Sequence, residues 1–213
     1  MRPDLVIFDC DGVLVDSEII SNTVLSEVLE SIDLHISPSE CMDLFLGKSW
    51  DFCLGIVEKR LGTQPPHNLY ETYMKKMFTK FEEELVPIAS IEYALDNLPY
   101  PKCVASSGPY LKINKTLSIT GLLNRFGENI YSATDVKEGK PAPDLFLHAA
   151  MKMGADPENT LVIEDSIAGI QAAHRAKMTP LVYCPEKTNP AIKKMKSVVF
   201  NNMTELPALV AKI

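Results

Sequence analysis

Positive charge is scarce in this sequence. Lysine and arginine number 21 against 28 aspartates and glutamates, which gives a formal net charge of −7 at pH 7. Binding to a nucleic-acid backbone needs a surplus of basic side chains, so we expect no nucleic-acid partner. A phosphorylated small molecule would also be repelled, unless a metal ion and a few well-placed cations reverse the field around its site.

Long apolar runs and paired cysteines are missing as well. No apolar stretch approaches the roughly 20 residues that span a bilayer, so we expect no membrane partner. An aspartate at position 4 precedes the first apolar run, which is not the pattern of a signal peptide. The five cysteines include no CxxC pair, which is typical of reduced thiols rather than of disulfides or a zinc site. Together these absences predict a cytoplasmic protein.

The 213 residues suffice for one domain with a smaller insertion. Between residues 16 and 85 the apolar residues follow only helical spacing, which predicts an all-helical inserted domain. Elsewhere short apolar runs alternate with helical segments, which predicts an α/β core with a doubly wound parallel sheet over 1–15 and 86–213. The predicted strands are 5–8, 103–106, 130–132, 161–163, 181–183 and 198–200.

The first predicted strand ends in two acids. Asp9 and Asp11 follow the apolar run Leu5–Phe8, and Gly12 then allows a sharp turn. If the extended backbone continues, both carboxylates lie on the same side of the chain. Two carboxylates at the end of a buried strand need a cation or a proton between them. The alternative is that they are solvated residues of an ordinary Asp-Gly turn.

A serine turn and a lysine follow later strands. Ligands of open parallel sheets bind beyond the carboxyl ends of the strands, so polar residues there are candidates for a site. The Ser106 hydroxyl and the N–H groups of Ser107 and Gly108 could hold a phosphate oxygen, although Ser106 could equally be a helix N-cap. Lys140 lies between a glycine and a proline, which suits a fixed cation, the alternative being a surface lysine.

Two adjacent acids follow the strand at 161–163. Glu164 and Asp165 come directly after an apolar run, where a pair of charges is unfavourable unless it binds a cation. The alternative is that they cap the next helix, and the two interpretations are compatible.

These four segments, in this order, resemble the motifs of the haloacid dehalogenase-like superfamily. Residues 9–18, DCDGVLVDSE, resemble its first motif, DxDGxLxDSE, and the segments at Ser106, Lys140 and Glu164-Asp165 resemble the other three. The resemblance spans the whole chain and points to the β-phosphoglucomutase and 6-phosphogluconate phosphatase-like branch. It implies a Rossmann-like core with a helical cap.

The resemblance also implies a role for each segment. Asp9 would be the nucleophile that forms an aspartyl-phosphate, and Asp11 the general acid and base. Ser106 and Lys140 would hold the transferring phosphoryl group.

The implied cofactor is Mg²⁺. Its ligands would be Asp9, the backbone carbonyl of Asp11, and Asp165. Glu164 would be a further ligand or would accept a hydrogen bond from a metal-bound water.

The cap would select the substrate. The candidate contacts, each with a surface role as the alternative, are Lys48, Trp50, Lys75, Lys76 and, in the core, Lys112. The β-phosphoglucomutases carry a histidine where Ser21 stands and an arginine where Trp50 stands, which disfavours mutase activity.

The predicted function is therefore a Mg²⁺-dependent phosphatase for a small phosphorylated metabolite, such as 6-phosphogluconate or another sugar or sugar-acid monophosphate. A phosphomutase and a non-catalytic phosphometabolite-binding protein are the alternatives. We expect a monomer or a weak dimer.

Overall fold

A computed structural model describes residues 2–45, 50–185, 192, 194–195 and 197–213 of the chain. The chain forms two compact units, one made of Met1–Val15 with Pro87–Ile213 and the other of Asp16–Val86. The sequence pattern predicts the second boundary after residue 85, one residue earlier.

The larger unit contains a six-stranded parallel sheet in the order β3-β2-β1-β4-β5-β6. Every residue of the central strand β1 is buried, as its uninterrupted apolar sequence predicts. The strands are β1 Leu5–Phe8, β2 Lys102–Ser106, β3 Ile130–Ser132, β4 Thr160–Glu164, β5 Thr179–Tyr183 and β6 Val198–Phe200.

The smaller unit is helical, and its described residues contain no strand. Its helices are α1 Glu18–Glu30, α2 Pro38–Phe45, α3 Trp50–Leu61 and α4 Leu69–Glu84. Helix α1 packs against both α2 and α4. Gly62 ends α3 with a φ of +70°, the left-handed conformation that favours glycine at this position.

The larger unit also contains helices, two of which pack on the sheet. Its helices are α5 Ile91–Asp96, α6 Tyr110–Ile119, α7 Asp144–Met153, α8 Ile167–Arg175 and α9 Leu206–Val210. Helix α7 contacts β1, β2 and β3, while α8 contacts β4 and β5. Among the described residues, no helix is both long and apolar enough to cross a membrane. The predicted fold class, a doubly wound parallel α/β core with an inserted helical domain, is confirmed.

Several elements differ from the sequence prediction. Strands β2 and β5 begin at Lys102 and Thr179, one and two residues before their predicted starts. Strand β4 continues through Glu164 instead of ending at Ile163, because protein groups compensate the charge of that glutamate, as described below. The short helix α9 was not predicted, since five residues are too few to show a clear helical period.

The strand order locates the crevice where a ligand can bind. Strands β2 and β3 lie on one side of β1, and β4, β5 and β6 lie on the other. A doubly wound sheet opens a crevice where the strand order reverses, beyond the carboxyl ends of the two central strands. The Asp9 N–H donates to the Ile163 carbonyl over 3.0 Å, so the ends of β1 and β4 lie side by side.

Candidate active site

Lys140 is at the centre of the crevice between β1 and β4. Its Nζ lies 2.6 Å from Asp9 Oδ1, 2.7 Å from Glu164 Oε1 and 3.1 Å from the Ala105 carbonyl oxygen. The Lys140 side chain is only 4% exposed, and its Nζ also lies 4.7 Å from the centre of the Phe146 ring. One buried ammonium group thus connects the ends of β1, β2 and β4.

Glu164 is fully buried and held by the protein. Its Oε1 accepts from Lys140, and its Oε2 accepts from the N–H groups of Asp165 and Ser166 and from the Ser166 hydroxyl. At Gly169, in the first turn of α8, a β-carbon would overlap the Glu164 carboxylate. Protein donors thus engage both oxygens of Glu164. Its role as a metal ligand, or as the acceptor from a metal-bound water, stays a prediction.

The pKa values of Asp9 and Lys140 are both raised, for different physical reasons. Burial, followed by the charges of Glu164 and Asp11, raises the pKa of the Asp9 carboxyl above its ordinary value, against the opposing effect of Lys140. Burial alone would lower the pKa of Lys140, but the two carboxylates raise it well above its ordinary value. Lys140 therefore stays charged, whereas a further positive charge nearby would stabilise the ionised form of Asp9.

Asp11 lies beyond Asp9, on the turn that Gly12 makes with a φ of +78°. Its Oδ2 is 2.8 Å from Lys112 Nζ, and both side chains are partly exposed. The sequence indicated Lys112 only as a possible substrate contact. Its pairing with Asp11 joins residues 101 positions apart, so no local pattern could have shown it.

The predicted phosphate-binding turn follows β2. Ser106 is buried and its hydroxyl accepts from the Gly108 N–H over 3.1 Å, while Ser107 is exposed. Ser132, at the end of β3, donates its hydroxyl to the Gly108 carbonyl over 2.7 Å and so braces this turn. Sequence reasoning missed Ser132, although the Ser-x-x-Asp spacing to Asp135 was a signal, since both form a capping box.

The acids and lysines of the crevice leave an excess of negative charge. Asp9, Asp11 and Glu164 contact the ammonium groups of Lys140 and Lys112 at two neighbouring strand ends, and Asp165 follows Glu164 in sequence. In the part of the chain that the structure describes, no three Asp, Glu, His or Cys side chains form a metal cluster. The carboxylates of Asp9 and Asp165 and the backbone carbonyl of Asp11 are nevertheless suitable donors for Mg²⁺, which keeps several water ligands. A divalent cation would also balance the excess of negative charge.

The predicted cap contacts lie in the helical unit. Trp50 begins α3 and stacks on Tyr73 of α4, with ring centroids 5.5 Å apart and an interplanar angle of 12°. Its substrate-binding role stays a prediction. Lys48 lies outside the described residues.

Comparison with known proteins identifies the family. Residues 6–182 match the sequence profile of the haloacid dehalogenase-like hydrolases. The chain belongs to this family. The predicted recognition is confirmed, because the aligned region contains all four motif segments.

Individual haloacid dehalogenase-like relatives align over nearly the full chain. A 6-phosphogluconate phosphatase of Escherichia coli (strain K12) is 30% identical over 209 residues, which cover 98% of this chain and 95% of the relative. A solved haloacid dehalogenase-like protein of unknown function from Agrobacterium tumefaciens str. C58 is 34% identical, with a TM-score of 0.83 and 98% of both chains covered. A family hydrolase from Deinococcus radiodurans R1, solved with bound phosphate and sodium, is 29% identical, with a TM-score of 0.80 and coverage of 99% and 96%. The predicted enzyme class, a phosphoric monoester hydrolase of the haloacid dehalogenase-like family, is confirmed.

Gly169→Ala tests whether the buried Glu164 holds the active site together. The new β-carbon would displace the Glu164 carboxylate from Lys140. Breaking a buried ion pair costs about 3–5 kcal/mol, so we expect a lower melting temperature and a loss of phosphatase activity.

The matched control is Gly55→Ala in the middle of α3, where a β-carbon meets nothing within 4 Å. This variant should be unchanged or about 0.5–1 kcal/mol more stable, because alanine favours helix. A Gly169→Ala protein with the parental melting temperature and phosphatase activity would contradict the role given to Glu164.

Proposed function

We propose that this protein hydrolyses a small sugar or sugar-acid monophosphate, with Asp9 as the nucleophile. The observation that carries the proposal is the buried contact between Lys140 and Asp9, at the crevice between the two central strands. A fixed cation beside a carboxylate suits phosphoryl transfer, in which catalysis is mostly positioning and charge stabilisation. The relative named 6-phosphogluconate phosphatase supports the choice of substrate class.

In the first step the Asp9 carboxylate attacks phosphorus. A bond forms between a carboxylate oxygen and phosphorus, and the bond from phosphorus to the sugar oxygen breaks. Asp11 gives a proton to that leaving oxygen. Lys140 stabilises the charge of the transferring group, and the hydroxyl of Ser106 with the N–H group of Ser107 holds its oxygens. The Gly108 N–H, also predicted to bind phosphate, donates to the Ser106 hydroxyl instead.

In the second step water hydrolyses the aspartyl-phosphate. Asp11, now a carboxylate, takes a proton from the water as its oxygen attacks phosphorus. The bond between phosphorus and Asp9 breaks, which releases inorganic phosphate and restores both aspartates to their starting states.

Mg²⁺ is the cofactor that fits this donor set. Asp9, Asp165 and the backbone carbonyl of Asp11 would hold it, all of them hard oxygen ligands. When bound, it supplies the positive charge that offsets the carboxylates and the phosphate of the substrate.

Asp9→Asn tests the nucleophile. An amide cannot form the acyl-phosphate, so kcat for p-nitrophenyl phosphate and 6-phosphogluconate should fall by at least about a thousandfold. The control is Asp4→Asn, an exposed aspartate next to the opposite end of β1, which should keep the parental rate.

The same assay separates a phosphatase from a phosphomutase. A phosphatase releases inorganic phosphate in step with substrate loss, whereas a mutase returns the phosphoryl group to a sugar hydroxyl. Undiminished turnover by Asp9→Asn would remove the proposed mechanism.

Chelation and Asp165→Asn test the metal. Removal of divalent ions with EDTA should abolish activity, and Mg²⁺ should restore it. Loss of one carboxylate ligand should raise the Mg²⁺ concentration for half-maximal activity by at least about tenfold. An independent measurement is the rise in melting temperature with Mg²⁺, which should need correspondingly more metal in Asp165→Asn. Full activity of the wild-type enzyme in EDTA would contradict the metal assignment.

A further inference from the structure

The ion pair between Lys112 and Asp11 is not explained by the steps above. Lys112 Nζ and Asp11 Oδ2 are 2.8 Å apart, with 18% and 26% of the two side chains exposed. Pairs on an open surface contribute little, because water and salt screen them. This pair lies at the edge of the crevice instead, and it engages the residue to which we give both proton transfers.

The path of the Lys112 side chain is defined by its neighbours. A β-carbon built on Gly108 would lie 3.5 Å from Lys112 Cδ and 3.5 Å from Ser106 Oγ. The aliphatic part of Lys112 therefore crosses over Gly108, beside the serine of the phosphate-binding turn. The lysine thus runs along this turn to reach Asp11.

The helix that carries Lys112 is fixed relative to the Asp11 loop. Ile113 and Leu117 of α6 are buried in the core. The Thr116 hydroxyl lies 3.7 Å from the sulfur of Cys10, the residue between the two catalytic aspartates. Helix and loop thus pack against each other, so the position of the ammonium group is set by the fold.

We propose that Lys112 is a positioning residue, which holds the Asp11 carboxyl in the orientation needed for proton transfer to the leaving group. The inference rests on the proposed role of Asp11. General acid catalysis requires the acid within hydrogen-bond reach of the departing oxygen. The contact can persist throughout the reaction, because an ammonium group donates to one carboxyl oxygen whether or not the other carries the proton.

The dependence on the leaving group tests this role. p-Nitrophenolate leaves without needing a proton, whereas the alkoxide of 6-phosphogluconate or glucose 6-phosphate must be protonated as it departs. The parameter to compare is kcat/KM, because it reports the phosphoryl-transfer step in which the leaving group departs. A residue that only supports the fold, or only binds phosphate, affects both kinds of substrate alike. A lysine that only binds the substrate carboxylate would affect 6-phosphogluconate but not glucose 6-phosphate, which has no carboxylate.

Lys112→Met keeps the aliphatic chain over Gly108 and removes the charge. We expect its kcat/KM to fall about 10- to 100-fold for the sugar phosphates but less than about threefold for p-nitrophenyl phosphate. Lys112→Arg should recover most of the loss, because it restores a cation. The control, Lys152→Met, alters an exposed lysine of α7 and should leave kcat/KM unchanged for both kinds of substrate.

Asp11→Asn tests the acid role of Asp11 separately from the positioning role of Lys112. It should show the same preference for the aryl substrate, more strongly than Lys112→Met. Suppose that Asp11→Asn prefers the aryl substrate but Lys112→Met loses kcat/KM equally on both kinds of substrate. That result would overturn the positioning role of Lys112 and leave the proposed function intact. Absence of bias in Asp11→Asn itself would overturn the acid role, and the inference with it. Melting curves of the variants distinguish these results from misfolding.

Discussion

The buried ammonium group of Lys140 is the constraint on which the rest of the site depends. It is paired with Asp9, 131 residues away in sequence, and with Glu164, 24 residues away. Removing three charges from water is unfavourable, and only close contacts with additional hydrogen bonds compensate for it. The fold supplies them through the Ala105 carbonyl and through the donors to Glu164. The site can therefore form only when β1, β2 and β4 are correctly assembled.

This constraint explains features that look unrelated along the chain. Gly169 leaves room for the Glu164 carboxylate, and Ser166 both binds that carboxylate and caps α8. Glu164 in turn holds Lys140, which contacts Asp9, the proposed nucleophile. The order of the strands puts this chain of contacts at the crevice of the doubly wound sheet, where a phosphorylated ligand can approach. Asp11 is paired with a lysine of its own, so each of the two aspartates contacts one cation.

Much of the fold was predictable from sequence, because its signals are local. The buried strand Leu5–Phe8 and the alternation of apolar runs with helices after residue 86 were sufficient to predict a parallel sheet. The order of four polar segments was sufficient to indicate the family. The pairing of Glu164 with Lys140, the bracing of the serine turn by Ser132 and the contact of Lys112 with Asp11 were not predictable. Each depends on which strand ends become neighbours, and no periodicity within a segment contains that information.

The proposed mechanism requires phosphate to be carried transiently on Asp9. Borohydride reduces an aspartyl-phosphate to homoserine, so quenching the enzyme during turnover of p-nitrophenyl phosphate, reducing it and mapping its peptides by mass spectrometry locates the phosphoryl group. We expect the modification at position 9, with Asp4 in the same segment unmodified as an internal control. Steady turnover with no modification at position 9, or with modification at another carboxylate, would contradict the account.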